Sequence, residues 1–188
     1  MKLDFRAKLT TSQKRTTTMV MNSFFLLLTK KSFEDITVRE ICTLSMIPHS
    51  TFYNYFEDKY DIVKWTVCRK FYELYPEMDT VMNHYDNIEK CADLLYDFID
   101  DNKTLFAKIA LKNPQYGDFY KTFRQSSYDV GLMLADNCTR DKNFEMPYEV
   151  IFNNYINGFM EVFNQIFYNK KTYTKEQIHN YMRELFAK

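Results

Sequence analysis

ITVREICTLSMIPHSTFYNYFEDK, residues 36–59, is the stretch whose reading decides the fold. Thr37 and Glu40 have capping-box spacing: the hydroxyl accepts a backbone N–H three residues on, and the carboxylate reaches back. Val38, Ile41 and Cys42 then supply the inward side of a short helix ending near Leu44. Ser45-Met46-Ile47 makes a turn. Pro48 suits the first turn of a second helix through Tyr55, where a missing N–H costs nothing. Phe52 and Phe56 share one face at i, i+4, which leaves His49, Ser50, Thr51 and Asn54 on or near the other side. Two short helices joined by a tight turn match the helix-turn-helix plan, in which the second helix enters the major groove and the first crosses the backbone. Ile47, Phe52 and Phe56 can pack on the inner side.

Working outward, Thr10 and Gln13 form a capping box for a long helix over about residues 11–31. Val20, Phe24, Leu27 and Leu28 make its apolar stripe, and Lys30 and Lys31 suit the negative end of its dipole. On the other side Asp58 caps a helix reaching about Leu74, with Ile62, Trp65, Val67 and Phe71 apolar and Pro76 beyond its end. The rest reads as helices over roughly 86–101, 103–112, 115–137, 147–168 and 175–187. Pro114 and Pro147 stand at starts, and Thr174 with Gln177 is a third capping box. Only 3 Gly and 4 Pro occur in 188 residues, too few for the many turns of a sheet-rich fold. The expected class is all-α: a three-helix domain over residues 1–57, then a larger helical regulatory and dimerisation domain over 58–188.

The net charge is zero but uneven: residues 1–33 hold seven basic groups and one acid, residues 76–188 hold 13 basic and 17 acidic. A basic front on an acidic body suits a polyanionic partner at the front. Cys42, Cys68, Cys91 and Cys138 and the three histidines lack zinc-site spacing, so neither a metal nor another cofactor is expected. The longest unbroken apolar run, residues 24–28, is far short of a membrane span, and no signal-peptide core precedes it. A cytoplasmic protein without membrane contact follows as the expectation.

The run Ile36-Thr37-Val38-Arg39-Glu40-Ile41-Cys42 resembles helix two of the TetR family of bacterial regulators. Ser50-Thr51-Phe52-Tyr53-Asn54-Tyr55-Phe56-Glu57-Asp58-Lys59 resembles that family's recognition helix and the start of helix four. The resemblance covers about residues 11–70. It implies a transcriptional regulator, commonly a repressor, that binds a pseudo-palindromic operator in double-stranded DNA. Tyr53 and Lys59 would contact phosphates, and Thr37 would meet the DNA backbone. His49, Ser50, Thr51 and Asn54 would face bases or flanking phosphates; Arg39 and Tyr55 complete the set. An Asn can pair with adenine in bidentate fashion. Lys8, Lys14 and Arg15 would add affinity without sequence information. The chain departs from the family at the turn, where Met46 replaces the usual Gly, and at Ser50, where Gly is frequent. A non-glycine residue at positive φ implies a slightly strained or differently shaped turn.

One recognition helix reads half a site, so the resemblance also implies a homodimer, its helices about 34–36 Å or a multiple apart. On the helix over 147–168, Tyr155, Phe159, Val162, Phe163 and Ile166 make an apolar stripe. Gly158 permits close approach of another helix, and Met182 on the last helix adds to the seam. Completion of the monomer core is the alternative for these residues. Trp65, Tyr96, Phe106, Tyr116, Phe119, Tyr120 and Phe123 could line a pocket for a small-molecule effector, or could be core. Two other classes remain. An adaptor of the same fold would act through a protein partner. A small helical enzyme is disfavoured, because no Gly-rich phosphate loop, His-Glu metal motif or Ser-His-Asp order is present.

Overall fold

Thr10 starts the first helix. Its Oγ1 accepts the Gln13 N–H at 3.2 Å, and Gln13 Oε1 accepts the Thr10 N–H at 2.9 Å. Two of the four N–H groups that a helix start leaves open are thereby satisfied. In the computed structural model, which describes residues 2–74, 84–136 and 147–186, helix α1 spans Thr11–Leu28. Val20, Phe24 and Leu28 on its inner stripe are fully buried. The helix stops three residues short of the expected end, so Lys30 and Lys31 do not sit in its last turn. Lys31 Nζ instead reaches the Asp35 carbonyl at 2.7 Å and both carboxylate oxygens of Glu40 at 2.6 and 2.7 Å.

Helix α2, Val38–Ser45, has the Thr37–Glu40 capping box at its start, and α3, His49–Tyr55, follows Pro48. Between them Met46 takes φ 53° and ψ 40°, a left-handed cap on α2. That conformation costs a non-glycine residue about 1–2 kcal/mol. It is tolerated here because the Met46 side chain is 83% exposed and meets no crowd. Helix α4, Lys59–Leu74, starts where Asp58 Oδ1 accepts the Asp61 N–H at 2.8 Å.

Helix α5, His84–Ala110, is one continuous helix and not the two expected over 86–101 and 103–112. The polar run from Asp100 to Thr104 suggests a break, but it contains no Gly or Pro. The helix continues through it, and the Asn102 side-chain amide also donates to the Phe98 carbonyl at 2.8 Å, one helical turn back. Helix α6, Asp118–Asp136, begins later than the expected residue 115, because Pro114 to Gly117 form a turn in which the Gly117 N–H bonds the Pro114 carbonyl at 3.0 Å. Helices α7, Tyr148–Phe167, and α8, Lys175–Phe186, complete the described chain, α8 with the Thr174–Gln177 capping box. Among the described residues every regular element is a helix, and no helix is long and apolar enough to cross a membrane.

The chain divides into two compact units: Met1–Tyr72 with Lys108–Ser126, and Glu73–Ala107 with Ser127–Lys188. The boundary expected after residue 57 is not where the packing divides, because most of α4 belongs with α1–α3. Phe56 meets Trp65 edge-on at 6.0 Å, and Arg69 holds the backbone of Phe5 and Ala7. The core of this unit adds Phe33, Ile36, Ile41, Phe52, Ile62, Ile109 and Phe119. Burying such a side chain contributes about 1.5–3 kcal/mol.

In the other unit Phe106 packs against Phe163 at 5.2 Å and Phe167 at 5.1 Å, and Ile178 and Met182 of α8 are buried. Three expected dimer residues, Val162, Phe163 and Met182, are therefore core of the chain itself. Gly158 does admit a close helix, but that helix is α8 of the same chain: an added Cβ would collide with Leu185. Phe159 and Ile166 keep part of their surface, and the Tyr155 side chain lies outside the described residues.

Candidate nucleic-acid interface

The α2–α3 pair owes its position to one buried side. Ile41, Cys42 and Ser45 of α2 and Phe52 of α3 are covered, with Phe56 just beyond, and the Ser45 hydroxyl donates to the Ile41 carbonyl at 2.6 Å. Burial pushes the Cys42 thiol up from its ordinary range. With these side chains inward, the three-to-four-residue repeat of α3 turns the others outward. His49, Ser50, Tyr53 and Asn54 are exposed, and Thr51 and Tyr55 are half-buried. Thr37 and Arg39 are exposed at the start of α2, as are Lys14 and Arg15 on α1. Two apolar side chains share the outer side of the turn: Leu44, 40% exposed, and Met46.

Two expected phosphate contacts are already engaged within the chain. Lys59 Nζ donates to the carbonyls of Phe33 at 2.7 Å, Glu34 at 2.9 Å and Ile36 at 3.0 Å, and it lies 4.7 Å from the centre of the Phe33 ring. An ammonium has three N–H donors, and all three are used. Burial pushes this group below the usual lysine range, opposed by the charge of Glu34. Lys59 is thus a clamp on the α1–α2 linker. Thr37 is similar: its hydroxyl accepts the Glu40 N–H and donates to Glu40 Oε2 at 2.9 Å. Hydrogen bonds from Lys31, then from the Thr37 backbone and side chain, hold Glu40 down at about 2.

The same linker is held from two further directions. The buried Asn113 side chain accepts the Phe33 N–H at 2.7 Å and donates to the Leu28 carbonyl at 3.0 Å and the Ile109 carbonyl at 3.1 Å. Glu34 Oε1 accepts the N–H of Asp118 at the start of α6, and hydrogen bonds to backbone amides, its own first, lower its pKa. Sequence reasoning missed Asn113; an Asn beside a Pro reads as a turn residue, and nothing local marks its partners. It also missed Lys2, whose Nζ donates to the Tyr53 carbonyl at 2.8 Å.

The seven aromatic residues expected at a pocket are divided between the two units. Tyr116 is 65% exposed in the turn before α6, with φ 70°, so it lines no enclosed space. Phe119 and Phe123 stack at 6.3 Å in the core of the first unit, and Tyr120 is buried beside Tyr116 at 5.4 Å. Tyr96 and Phe106 belong to the second unit. Trp65 is 2% exposed, and its Nε1–H has no acceptor among the described residues.

The arrangement has parallels among solved structures. Lin0861 from Listeria innocua is 17% identical, with a TM-score of 0.68 over 95% of this chain and 92% of that one. The fatty acid degradation regulator FadR from Bacillus halodurans is 11% identical, with a TM-score of 0.61 over 96% and 97%. A proposed transcriptional regulator from Pseudomonas aeruginosa PAO1 is 16% identical, with a TM-score of 0.50 over 97% and 92%. At these identities the likeness shows a shared all-helical fold. No family model matches the chain, and no curated protein matches it in sequence.

Proposed function

We propose that this chain is a TetR-like transcriptional regulator that binds a pseudo-palindromic operator as a homodimer. The observation that carries the reading is the α2–Met46–α3 pair. Its inner side is fixed by Ile41, Phe52 and Phe56, while His49, Ser50, Tyr53 and Asn54 face outward. Small polar side chains on an exposed helix of this kind suit base edges in a major groove. Tyr53, Lys14 and Arg15 are the phosphate contacts in this reading, without the side chains of Lys59 and Thr37. Repression relieved by a small-molecule effector is the proposed mode. A coupling of about 1–3 kcal/mol would weaken operator binding about 5–150-fold. The presence of regulators among proteins of this fold supports the regulatory role.

Selection of bound DNA from a random duplex pool tests the reading. The expected product is a two-fold sequence whose half-sites lie one or more helical turns apart. Absence of binding to any duplex at low ionic strength would overturn it. A second reading, an adaptor that docks a protein partner, is favoured by one observation: Leu44 and Met46 are apolar and exposed at the turn. Binding by such a patch would change little with salt, whereas DNA affinity falls steeply.

A further inference from the structure

Residues 2–8 are anchored to the first unit. Phe5 is 5% exposed and meets Tyr72 edge-on at 6.1 Å. Arg69 Nη1 donates to the carbonyls of Phe5 at 2.8 Å and Ala7 at 3.0 Å. Asp4 folds the segment into a turn, its carboxylate accepting the Arg6 N–H at 2.9 Å and its carbonyl the Ala7 N–H at 3.2 Å. The first cation of the segment reaches the candidate reading helix. Lys2 Nζ caps the Tyr53 carbonyl, which lies among the last four of α3 and so beyond the helix's own ladder.

Three exposed cations, Lys2, Arg6 and Lys8, are thus carried by a segment fixed at Phe5 and ending against α3. We infer that residues 2–8 form a second DNA-contacting element, which places these three cations on phosphates flanking the bases met by α3. The inference rests on the DNA-binding reading above and adds a site to it. An ammonium held by one neutral carbonyl in solvent gains by exchanging it for a phosphate, because a hydrogen bond between opposite charges is about twice as strong. Anchoring at Phe5 and Arg69 reduces the entropy lost when the segment settles on the duplex. The ligand is the phosphodiester backbone, so the contacts carry affinity without sequence preference.

Duplex binding by the full chain, measured from 50 to 200 mM salt, tests the inference. Each neutralised phosphate contributes about 0.9 to the slope of log affinity against log salt. The triple variant K2A/R6A/K8A is expected to lose about two to three units of slope per bound chain, equally on selected and random duplexes. The double variant R6A/K8A keeps the Lys2–Tyr53 contact and the Phe5 anchor, and is expected to lose about two. Variants that melt like the wild type, bind DNA and retain the wild-type slope would overturn the inference while leaving the DNA-binding reading intact. Failure of the wild type to bind any duplex would overturn both. A change confined to the selected duplex would also overturn it, since that is base reading and not phosphate contact.

Discussion

Several cations of the first unit hold backbone, whereas those between α5 and α8 hold carboxylates. Around α2 and α3 Lys59 holds the carbonyls of Phe33, Glu34 and Ile36, Arg69 those of Phe5 and Ala7 and Lys2 that of Tyr53, while Lys31 divides its donors between the Asp35 carbonyl and the Glu40 carboxylate. Between α5 and α8 the cations end on carboxylates. Lys175 meets Asp93 at 2.8 Å and Asp97 at 3.5 Å, His179 sits between Glu89 at 2.6 Å and Asp93 at 2.9 Å, and Arg183 pairs with Glu89. The difference follows from the backbone. The first unit contains irregular chain, the 29–37 linker and residues 2–9, whose carbonyls need donors that no helix ladder supplies. In α5 and α8 the backbone satisfies itself, so charged side chains at i, i+4 spacing pair with each other across the helices. Clamps on backbone fix geometry that nothing else fixes; exposed ion pairs fix a register that apolar packing already favours.

The contrast can be broken by removing members of each set. Asn113→Leu is expected to have the largest effect. It leaves the Phe33 N–H and the Leu28 carbonyl without their buried partner, and should lower unfolding free energy by about 3 kcal/mol in denaturant titration. Lys59→Met keeps the aliphatic stem but uncaps three carbonyls, some within reach of water, for about 2 kcal/mol. A loss below about 0.5 kcal/mol, the range of an ordinary surface change, would remove Lys59 from the clamps. In the other unit, the K175A/R183A variant should lose less stability than either clamp variant and should respond to salt, as exposed pairs do.

Acid sharpens the comparison. Arg183 first, and His179 after it, hold the Glu89 carboxyl below its usual range; Lys175 first, then His179, do so for Asp93. A depressed folded-state pKa gives stability that is present above the ordinary carboxylate pKa and lost as pH falls through the depressed value. The gap in stability between wild type and K175A/R183A should therefore close as pH drops below the carboxylate range. A gap that widens in acid would contradict the pairing. Glu40 gives a parallel window, from its ordinary 4.5 down to about 2, which Glu40→Gln should abolish. The smallest expected effect is at the turn. Met46→Gly relieves the left-handed strain but gives the unfolded chain more freedom, for a net gain of about 0.5 kcal/mol.

Much of the candidate interface was legible from residues 36–59. The capping box at Thr37, the turn at Met46 and the inward Phe52 and Phe56 all occur as read. The partners of Lys59 were not: nothing local marks the carbonyls of Phe33, Glu34 and Ile36 that it holds. The polar run after Ile99 was misread as a break, because a polar stretch without Gly or Pro need not end a helix. Gly158 was read as a site of close approach, and Leu185 of α8 lies where its side chain would be.

The capped helix starts at Thr10, Thr37 and Thr174, the two-helix unit and the division into inner and outer faces were determined by the sequence itself. Each depends on groups within about four residues of one another, and a capping box or an i, i+4 stripe states its geometry in its spacing. Where the long polar side chains end was decided by the tertiary structure. Lys59 meets carbonyls 23 to 26 residues away, and Asn113 reaches 80 to 85 residues back to Phe33 and Leu28. Those carbonyls and that N–H accept partners only once the chain has folded and left them short of water, so no local pattern can announce which side chain will find them.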